Sequence, residues 1–278
     1  MPILLLHAGC GDGDGDALPS SGELLAMTYN VAGLPEGLSG SHPKVNTPLI
    51  SPLLNGYELV LVQEDFWYHA PLSADAEHAH RSEPSREVPD WLDMGDGLNR
   101  FSDSAITEFT RVPWIECFGT TDNGSDCATP KGFSAALHEL GPGAKVLIYN
   151  LHMDASGDEG SQQARQAQVE QLIGDIEARA GAAALIVAGD TNLKQWKTER
   201  ALDGPVLERL LAGAGLSDAC RHVGCPEETH DRILFRASDD LALEAVSWSR
   251  PTEFKDGAGE DLSDHVPVVV RLEWRALR

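Results

Sequence analysis

Short apolar runs alternate with polar or glycine-rich segments along most of the chain. Runs of this length, bounded by turn-forming residues, are typical of strands that are buried on both faces. We predict strands at 24–31, 59–62, 105–109, 132–137, 146–151, 184–188, 233–235, 241–246 and 266–272.

Helical periodicity is clearest over residues 161–180. One face of this segment carries the apolar residues Val169, Leu172, Ile173, Ile176 and Ala180. Gly181 fits as the helix stop, and a second helix that begins with a proline is predicted at 205–214. A shorter helical piece is predicted at 48–54, whereas the polar, irregular segment 73–103 is expected to be dominated by loops.

Several predicted strands follow one another with too little chain between them for a crossover helix. The pattern therefore favours an α/β fold in which two mixed β-sheets pack face to face with helices outside, rather than a doubly wound parallel sheet. The 278 residues are enough for one large domain, which we place at 23–278. No apolar stretch approaches the length of a membrane span.

The charge balance is strongly acidic. The sequence has 21 Lys+Arg against 44 Asp+Glu, a formal net charge of −23. A polyanion would be repelled at long range, because nucleic-acid binding normally depends on basic groups that displace counterions from phosphates. Composition therefore disfavours a nucleic-acid substrate, although a local basic patch or bound cations could restore binding.

The N-terminal residues 1–22 are expected to lie outside the folded domain. A short apolar segment runs into Cys10, as in a bacterial lipoprotein processing site, although His7 and the shortness of the segment depart from that pattern. An acidic, glycine-rich tether follows. We expect an exported cell-surface lipoprotein or secreted protein, with a possible membrane tether through a lipidated Cys10; the alternative is a chance cysteine.

Four further cysteines allow three pairings. The pairing that is local in sequence is Cys117–Cys127 with Cys220–Cys225, which would act as loop staples in an exported protein. A zinc site is the competing interpretation, but the sequence has no paired CxxC.

Six short motifs end or follow the apolar runs. They are Tyr29-Asn30-Val31, Val62-Gln63-Glu64, Asn150-Leu151-His152-Met153-Asp154, Gly189-Asp190-Thr191-Asn192, His230-Asp231-Arg232-Ile233 and Ser263-Asp264-His265. Their carboxylate and amide oxygens suit Mg²⁺, Mn²⁺ or Ca²⁺, and their imidazoles can transfer protons near neutral pH. Phosphodiester hydrolysis needs this combination of cation, base and acid.

The ordered set resembles the endonuclease/exonuclease/phosphatase superfamily, whose members are similar to deoxyribonuclease I. Gly-Asp-x-Asn together with a terminal Ser-Asp-His is highly characteristic of that superfamily. The resemblance spans Asn30 to His265 and implies a four-layer α/β sandwich with divalent-metal-dependent cleavage of phosphoester bonds.

The resemblance also implies roles for individual residues. His265 corresponds to the general base that activates water, and Asp231 to the carboxylate that orients it. His152 corresponds to a second histidine that acts as an acid or phosphate ligand. Asp190 and Asn192 correspond to the pair that positions the nucleophile and contacts the phosphate. Glu64 corresponds to the main metal ligand, assisted by Asn30, and Asp264 would support the metal or the neighbouring site. The role of Asp154 stays open.

Two branches of the superfamily compete. Lys131-Gly132-Phe133 and Ser247-Trp248 resemble bacterial neutral sphingomyelinases, whereas Asp231-Arg232-Ile233 resembles the deoxyribonuclease branch. The acidic charge and the possible lipidation favour a phospholipid head group, so a sphingomyelinase-like phosphodiesterase of the phospholipase C type is the first expectation. A secreted deoxyribonuclease-like endonuclease is the alternative, and a non-catalytic surface binding module is a third.

Other polar and aromatic residues have simpler interpretations. Three histidines, His69, His78 and His80, are expected to be solvated in loops rather than to bind a second metal. The run 66–68 is expected to anchor a loop, with a wall for a choline-like group as the alternative. Lys131 could approach the phosphate.

Overall fold

The computed structural model describes residues 20–89, 93–120 and 123–277. Two six-stranded mixed sheets pack against each other, and helices cover their outer faces. The predicted α/β sandwich is confirmed. Cys10 and most of the predicted leader and tether lie outside the described residues.

The first sheet has the strand order β11-β12-β1-β2-β4-β3. β1 pairs in parallel with β2 and antiparallel with β12. The strands are β1 (Ser21–Asn30), β2 (Leu59–Gln63), β3 (His80–Arg81), β4 (Asn99–Ser102), β11 (Leu241–Ser249) and β12 (Val268–Ala276).

The second sheet has the strand order β5-β6-β7-β8-β10-β9. β7 is parallel to β8, while β10 is antiparallel to β8. The strands are β5 (Ala105–Pro113), β6 (Gly132–Gly141), β7 (Ala144–His152), β8 (Leu185–Asp190), β9 (Ser217–Asp218) and β10 (Asp231–Arg236).

Five α-helices and two short 3₁₀ helices connect the strands within the described residues. The α-helices are α1 (Pro43–Ile50), α2 (His69–Ser73), α3 (Glu159–Ala180), α4 (Asp203–Ala214) and α5 (Ala219–Val223), and the 3₁₀ helices are Ser51–Gly56 and Asn123–Ala128. No helix in this part of the chain combines the length and apolarity needed to cross a bilayer.

Alternation along the strands divides the apolar side chains between layers. In β2, Leu59 and Leu61 pack between the sheets, while Val60 and Val62 face the outer layer that contains α1 and α2. A third cluster joins the outer face of the second sheet to α3 and α4. Both faces of the central strands are therefore buried, which explains their continuous apolar runs.

The two main helices form where they are predicted. Asp158 caps α3 by accepting a hydrogen bond from the Ser161 amide at 3.0 Å, so the helix begins two residues before the predicted start. Gly181, with φ of 49°, ends it as predicted. The helical piece predicted at 48–54 begins too late: Pro43 occupies the first turn of α1, and Pro48 lies inside that helix.

The segment 73–103 contains two short strands, β3 and β4, that the apolar pattern did not predict. β4 reads Asn-Arg-Phe-Ser, yet all four residues are buried. Arg100 crosses to the second sheet and donates to the carbonyl oxygens of Ile148 and Ser134, both at 3.1 Å. Long-range hydrogen bonds of this kind leave no periodicity in the local sequence, which is why the strand escaped prediction.

A polar layer links the two sheets beside the predicted site. The side chain of Gln63 donates to Asn150 Oδ1 at 2.7 Å, and Asn150 Nδ2 donates to the carbonyl oxygen of Val62 at 2.9 Å. Buried polar groups need such partners, and these bonds join the end of β2 to β7. They fix the relative position of the two sheets at the edge where the motifs lie.

Candidate active site

The topology gathers the motifs at one edge of the sandwich. β1 and β2 are parallel and end at Asn30 and just before Glu64. In the second sheet, β7 and β8 are parallel and end at His152 and Asp190. β10 runs the other way and therefore begins at this edge, with Asp231 opposite Asp190 in the register.

His265 lies between two carboxylates. It precedes β12, which is antiparallel to β1, so the chain delivers it to the same edge. Its Nδ1 lies 2.9 Å and 3.1 Å from the two carboxylate oxygens of Asp231, and its Nε2 lies 3.8 Å from Asp190 Oδ2. The Asp231 pair fixes Nδ1 as the protonated nitrogen and turns Nε2 toward Asp190.

Electrostatics hold His265 as a cation in the absence of a metal. Burial opposes the charge, but the Coulombic attraction and hydrogen bond of Asp231, with the charge of Asp190, outweigh it and raise the pKa of His265 to about 10. Asp190 is fully buried, which opposes ionisation, yet His265 and His152 lower the pKa of Asp190 well below its usual range. The carboxylate is therefore ionised at neutral pH.

Asn30 connects two of the carboxylates. Its Nδ2 donates to Glu64 Oε1 at 3.0 Å and lies 3.3 Å from Asp190 Oδ2. Its Oδ1 accepts from the Ala32 amide at 3.0 Å, and its carbonyl oxygen accepts from Ser263 Oγ at 2.8 Å. In this arrangement the Asn30 amide orients the two carboxylates.

Glu64 stands in a strained turn just after β2. Its φ of 55° is in the left-handed region, and its carbonyl oxygen accepts from the amides of Gly33 at 3.0 Å and Phe66 at 2.8 Å. A side chain at Gly33 would bring a Cβ to 2.4 Å from that oxygen, so this position requires glycine. Burial raises the pKa of Glu64, with Lys131 and Asn30 opposing that rise.

His152 lies beneath the carboxylates and is almost completely buried. Its Nε2 is 3.4 Å from Asp190 Oδ2 and 4.0 Å from Glu64 Oε1. Burial, followed by the charge of Lys131, lowers the pKa of His152 well below its usual value. The imidazole is therefore neutral at pH 7, so it can donate or accept one hydrogen bond at Nε2.

Asn192 and Thr191 hold the turn that follows β8. The amide of Asn192 donates to Asp190 Oδ1 at 3.0 Å, and its side chain donates to the carbonyl oxygen of Met153 at 3.1 Å. Its φ of 52° is left-handed, a conformation that asparagine tolerates better than most residues. Thr191 Oγ1 donates to the carbonyl oxygen of His230 at 2.7 Å.

His230 belongs to this site, although the sequence interpretation used it only as part of a motif. Its ring centroid lies 5.0 Å from that of His265, and its Nε2 lies 3.9 Å from Asp231 Oδ2. Possible ligand atoms of Asp190, His230, Asp231 and His265 all lie within 4.8 Å of one another. The only sequence signal for His230 was its position directly before Asp231.

Lys131, which the sequence analysis had singled out, forms a buried ion pair and interacts with the acidic group. Its ammonium bonds Asp126 Oδ1 at 2.5 Å, and only 9% of its side chain is exposed. The charge of Lys131 also opposes the rise that burial causes in the pKa of Glu64, so the two groups interact electrostatically. Lys131 is thus anchored by a buried aspartate while its charge acts on Glu64.

Asp264 and Asp154 lie at the periphery. Asp264 is exposed, and its backbone amide donates a hydrogen bond to Ser41 Oγ at 3.0 Å. The negative charge of Asp264 contributes to raising the pKa of both His265 and Glu64. Asp154 faces away, since its carboxylate accepts from Gln168 at 2.6 Å and from the Phe118 amide at 2.7 Å. Burial and the charge of Asp126 raise the pKa of Asp154 to about 6.

The other singled-out residues have mixed outcomes. His80 is exposed as expected, but His78 is buried and bonds the Tyr57 carbonyl oxygen at 2.7 Å, so the expectation of a solvated histidine is wrong there. His69 is half-buried and lies 2.5 Å from Asp65. The aromatic run 66–68 includes the buried Phe66, as expected for a loop anchor. Both predicted disulfides, Cys117–Cys127 and Cys220–Cys225, are present.

Comparison with known proteins identifies relatives of this chain. No protein-family model matches the sequence. The proteins named Sphingomyelinase from Mycobacterium tuberculosis and Mycobacterium bovis are 32% identical to it; the match covers 92% of this chain and 54% of theirs. The chain thus spans about half the length of these relatives.

Solved structures share the fold. Sphingomyelinase C from Streptomyces griseocarneus superposes with a TM-score of 0.63 at 19% identity, covering 90% of this chain and 99% of that one. Humanised D. rerio TDP2 gives 0.65 at 17% identity, covering 90% and 98%. Beta toxin from Staphylococcus aureus with bound magnesium ions gives 0.62 at 16% identity, covering 90% and 99%.

The strand order of the two sheets, the polar residues at the strand ends and the similarity to these proteins all support the same interpretation. These relatives and the shared fold confirm the predicted resemblance to the endonuclease/exonuclease/phosphatase superfamily.

The resemblance to this superfamily implies a divalent cation, and the donor set of the chain fits one. Asp190 is a buried carboxylate and Glu64 a half-buried one, both held toward the same Asn30 amide, and the ammonium of Lys131 bonds Asp126 instead of either. His152 Nδ1 is buried without a hydrogen-bond partner among the described residues. Converging carboxylate oxygens at a polar edge are the ligands that a hard cation prefers.

Proposed function

We propose that this chain is a divalent-metal-dependent phosphodiesterase that releases phosphocholine from sphingomyelin. The observation that carries the proposal is the arrangement of His265, whose Nδ1 is held by Asp231 and whose Nε2 lies 3.8 Å from Asp190. A base oriented in this way beside an ionised carboxylate can activate water. Relatives named Sphingomyelinase support the lipid substrate over other phosphodiesters.

In the proposed reaction His265 takes a proton from a water molecule at Nε2. The water oxygen bonds to phosphorus, and the bond from phosphorus to the ceramide oxygen breaks. The ceramide oxygen departs with the bonding electrons and takes a proton from solvent water to give the alcohol. Asp231 stabilises the imidazolium that forms, and Asp190 orients the water. Neutral His152, whose Nε2 faces Asp190, is positioned to donate a hydrogen bond to a phosphate oxygen.

Glu64 and Asp190 would hold the cation, with Asn30 and Asp264 as supporting residues. When bound, a divalent ion neutralises the phosphate oxygens and, by repulsion, lowers the pKa of His265 toward neutrality. Mg²⁺ is the proposed ion, with Mn²⁺ or Ca²⁺ as alternatives, and the magnesium ions in the beta toxin structure support that order.

The charge of the chain favours a zwitterionic head group over a polyanion. A formal net charge of −23 repels nucleic acid at long range, whereas the phosphodiester head group of sphingomyelin carries no net charge. We further propose that the protein is exported, because two disulfides are typical of oxidising compartments. Lipidation of Cys10 stays a prediction.

The test is phosphocholine release from sphingomyelin-containing vesicles with Mg²⁺ and with excess EDTA, using the wild type and His265→Ala. We expect release with Mg²⁺ only, and a loss of at least about a hundredfold in the variant, since general-base catalysis contributes about 10²–10⁴. Circular dichroism checks that the variant is folded. Metal-dependent nicking of plasmid by folded protein that leaves sphingomyelin intact would instead establish the endonuclease alternative.

A further inference from the structure

An exposed tryptophan stands next to the proposed active site. Trp196 follows β8 by six residues, and 46% of its surface is exposed. Its ring centroid lies 6.5 Å from that of His230, which in turn lies 5.0 Å from that of His265. No hydrophobic core cluster of the described residues includes Trp196. Its indole therefore forms part of the surface beside His230, which separates it from His265.

This indole lines an open cavity of about 410 Å³, together with Gln195, Glu227 and Glu228. The volume is in the range of small-molecule sites. Two of the four lining residues are acidic and none is basic, so the cavity wall suits a cation better than a phosphate group. An aromatic face with adjacent carboxylates is the chemistry that binds quaternary ammonium groups.

Hydrogen bonds and ion pairs with three arginines fix the positions of the residues that line this cavity. The buried guanidinium of Arg232 donates to Gln195 Oε1 at 2.8 Å, and Gln195 donates to Glu228. Arg221 lies 3.4 Å from Glu228, and Arg250 lies 3.5 Å from Glu227. These arginines partly neutralise the carboxylates, so the aromatic face must supply much of the attraction for a ligand cation.

Groups of both charge signs interact with His230, namely Asp190, Asp231 and Lys194. On the catalytic side, the charge of Lys194 acts on Asp190 and Asp231. Trp196 contacts His230 and lines the adjoining cavity together with the two glutamates. A zwitterion with phosphate toward the histidines and ammonium toward the indole would match both ends of this arrangement.

We propose that Trp196, with Glu227 and Glu228, forms the subsite for the trimethylammonium group of the substrate. The inference rests on the proposed phosphodiesterase function and names its specificity-determining residue. Phosphocholine has two carbons between the phosphate ester oxygen and the nitrogen, and a cation interacts with an indole within about 6 Å of its centroid. A phosphate beside His265 therefore leaves the ammonium within reach of Trp196.

The experiment uses three soluble p-nitrophenyl phosphodiesters. The second alcohol is choline in the first and its uncharged isostere 3,3-dimethylbutanol in the second, so this pair differs only in the cationic charge. The third ester is the p-nitrophenyl diester of thymidine. Soluble substrates also remove any effect of a lipid surface. The quantity measured is the ratio of kcat/KM for the choline ester to kcat/KM for the neutral ester.

In Trp196→Ala we expect this ratio to fall about tenfold, as for the loss of a cation–π contact, while Trp196→Phe retains most of it. Leu277→Ala is the matched control, since that side chain is 40% exposed at the far end of β12 and its removal should leave the ratio unchanged. Circular dichroism checks folding of each variant.

An unchanged ratio in Trp196→Ala would overturn the subsite. So would a loss confined to the p-nitrophenyl diester of thymidine, which would make the indole a stacking platform for a base. Failure of the wild type to hydrolyse any of the three esters with Mg²⁺ would instead count against the phosphodiesterase function, so the two failures are distinguishable.

Discussion

Replacing Asp231 by Asn isolates the carboxylate that orients the proposed base. The change keeps the size of the side chain but removes a charge whose oxygens lie 2.9 Å and 3.1 Å from His265 Nδ1. Two unit charges about 4 Å apart interact by about 4 kcal/mol at an effective dielectric of about 20. That energy corresponds to about three pKa units.

We therefore expect the pKa of His265 to fall from about 10 in the metal-free wild type toward its ordinary value of 6.5. The Asn amide also favours the tautomer with its proton on Nε2, so the nitrogen facing the water can no longer accept a proton. We expect kcat to fall by about 10²–10⁴.

The assay combines an NMR titration of the His265 ring in EDTA with steady-state turnover in Mg²⁺. Asp261→Asn is the matched control, because it removes an exposed carboxylate that pairs with Lys255 instead of His265. A pKa that stays near 10 in Asp231→Asn would show that Asp190 and Asp264 carry the shift. Undiminished turnover would refute the role of Asp231.

The same ion pair has a consequence for stability. Because the pKa of His265 in the folded, metal-free protein lies above 6.5, its charged form stabilises the fold fully below about pH 6.5. This contribution is lost as the pH rises toward 10. Urea midpoints measured in EDTA across this range should fall more in the wild type than in Asp231→Asn.

Two further variants test the surroundings of the site. Lys131→Met combined with Asp126→Asn removes the buried cation without leaving an unpaired carboxylate. We expect kcat to fall at least about tenfold, because a positive charge that stabilises the transition state is lost. Unchanged turnover by folded protein would contradict this. Arg100→Met leaves the carbonyl oxygens of Ile148 and Ser134 without their charged donor. Each unsatisfied oxygen costs about 1–3 kcal/mol, so urea unfolding should show a free energy of unfolding lower by about 2–6 kcal/mol. A decrease below about 1 kcal/mol would mean that the inter-sheet hydrogen bonds contribute little to stability.

The sequence alone determined the central strands and the chemistry at their ends. Strands buried on both faces must be continuously apolar, so β2 and β8 are visible without coordinates. Polar residues such as Asp190 at the ends of these apolar runs do not add to the hydrophobic core, so their presence indicated a chemical role. α3 was equally visible because its period and its end at Gly181 are local properties.

Only the tertiary structure decided which side chains meet. β4 is polar in sequence because Arg100 is satisfied by the opposite sheet, and His230 joins the site because β10 runs antiparallel to β8. The pairing of Lys131 with a buried aspartate and the exposure of Trp196 beside His230 also depend on packing. Periodicity reports local burial, whereas hydrogen bonds and charge interactions between distant segments are set by how the two sheets pack.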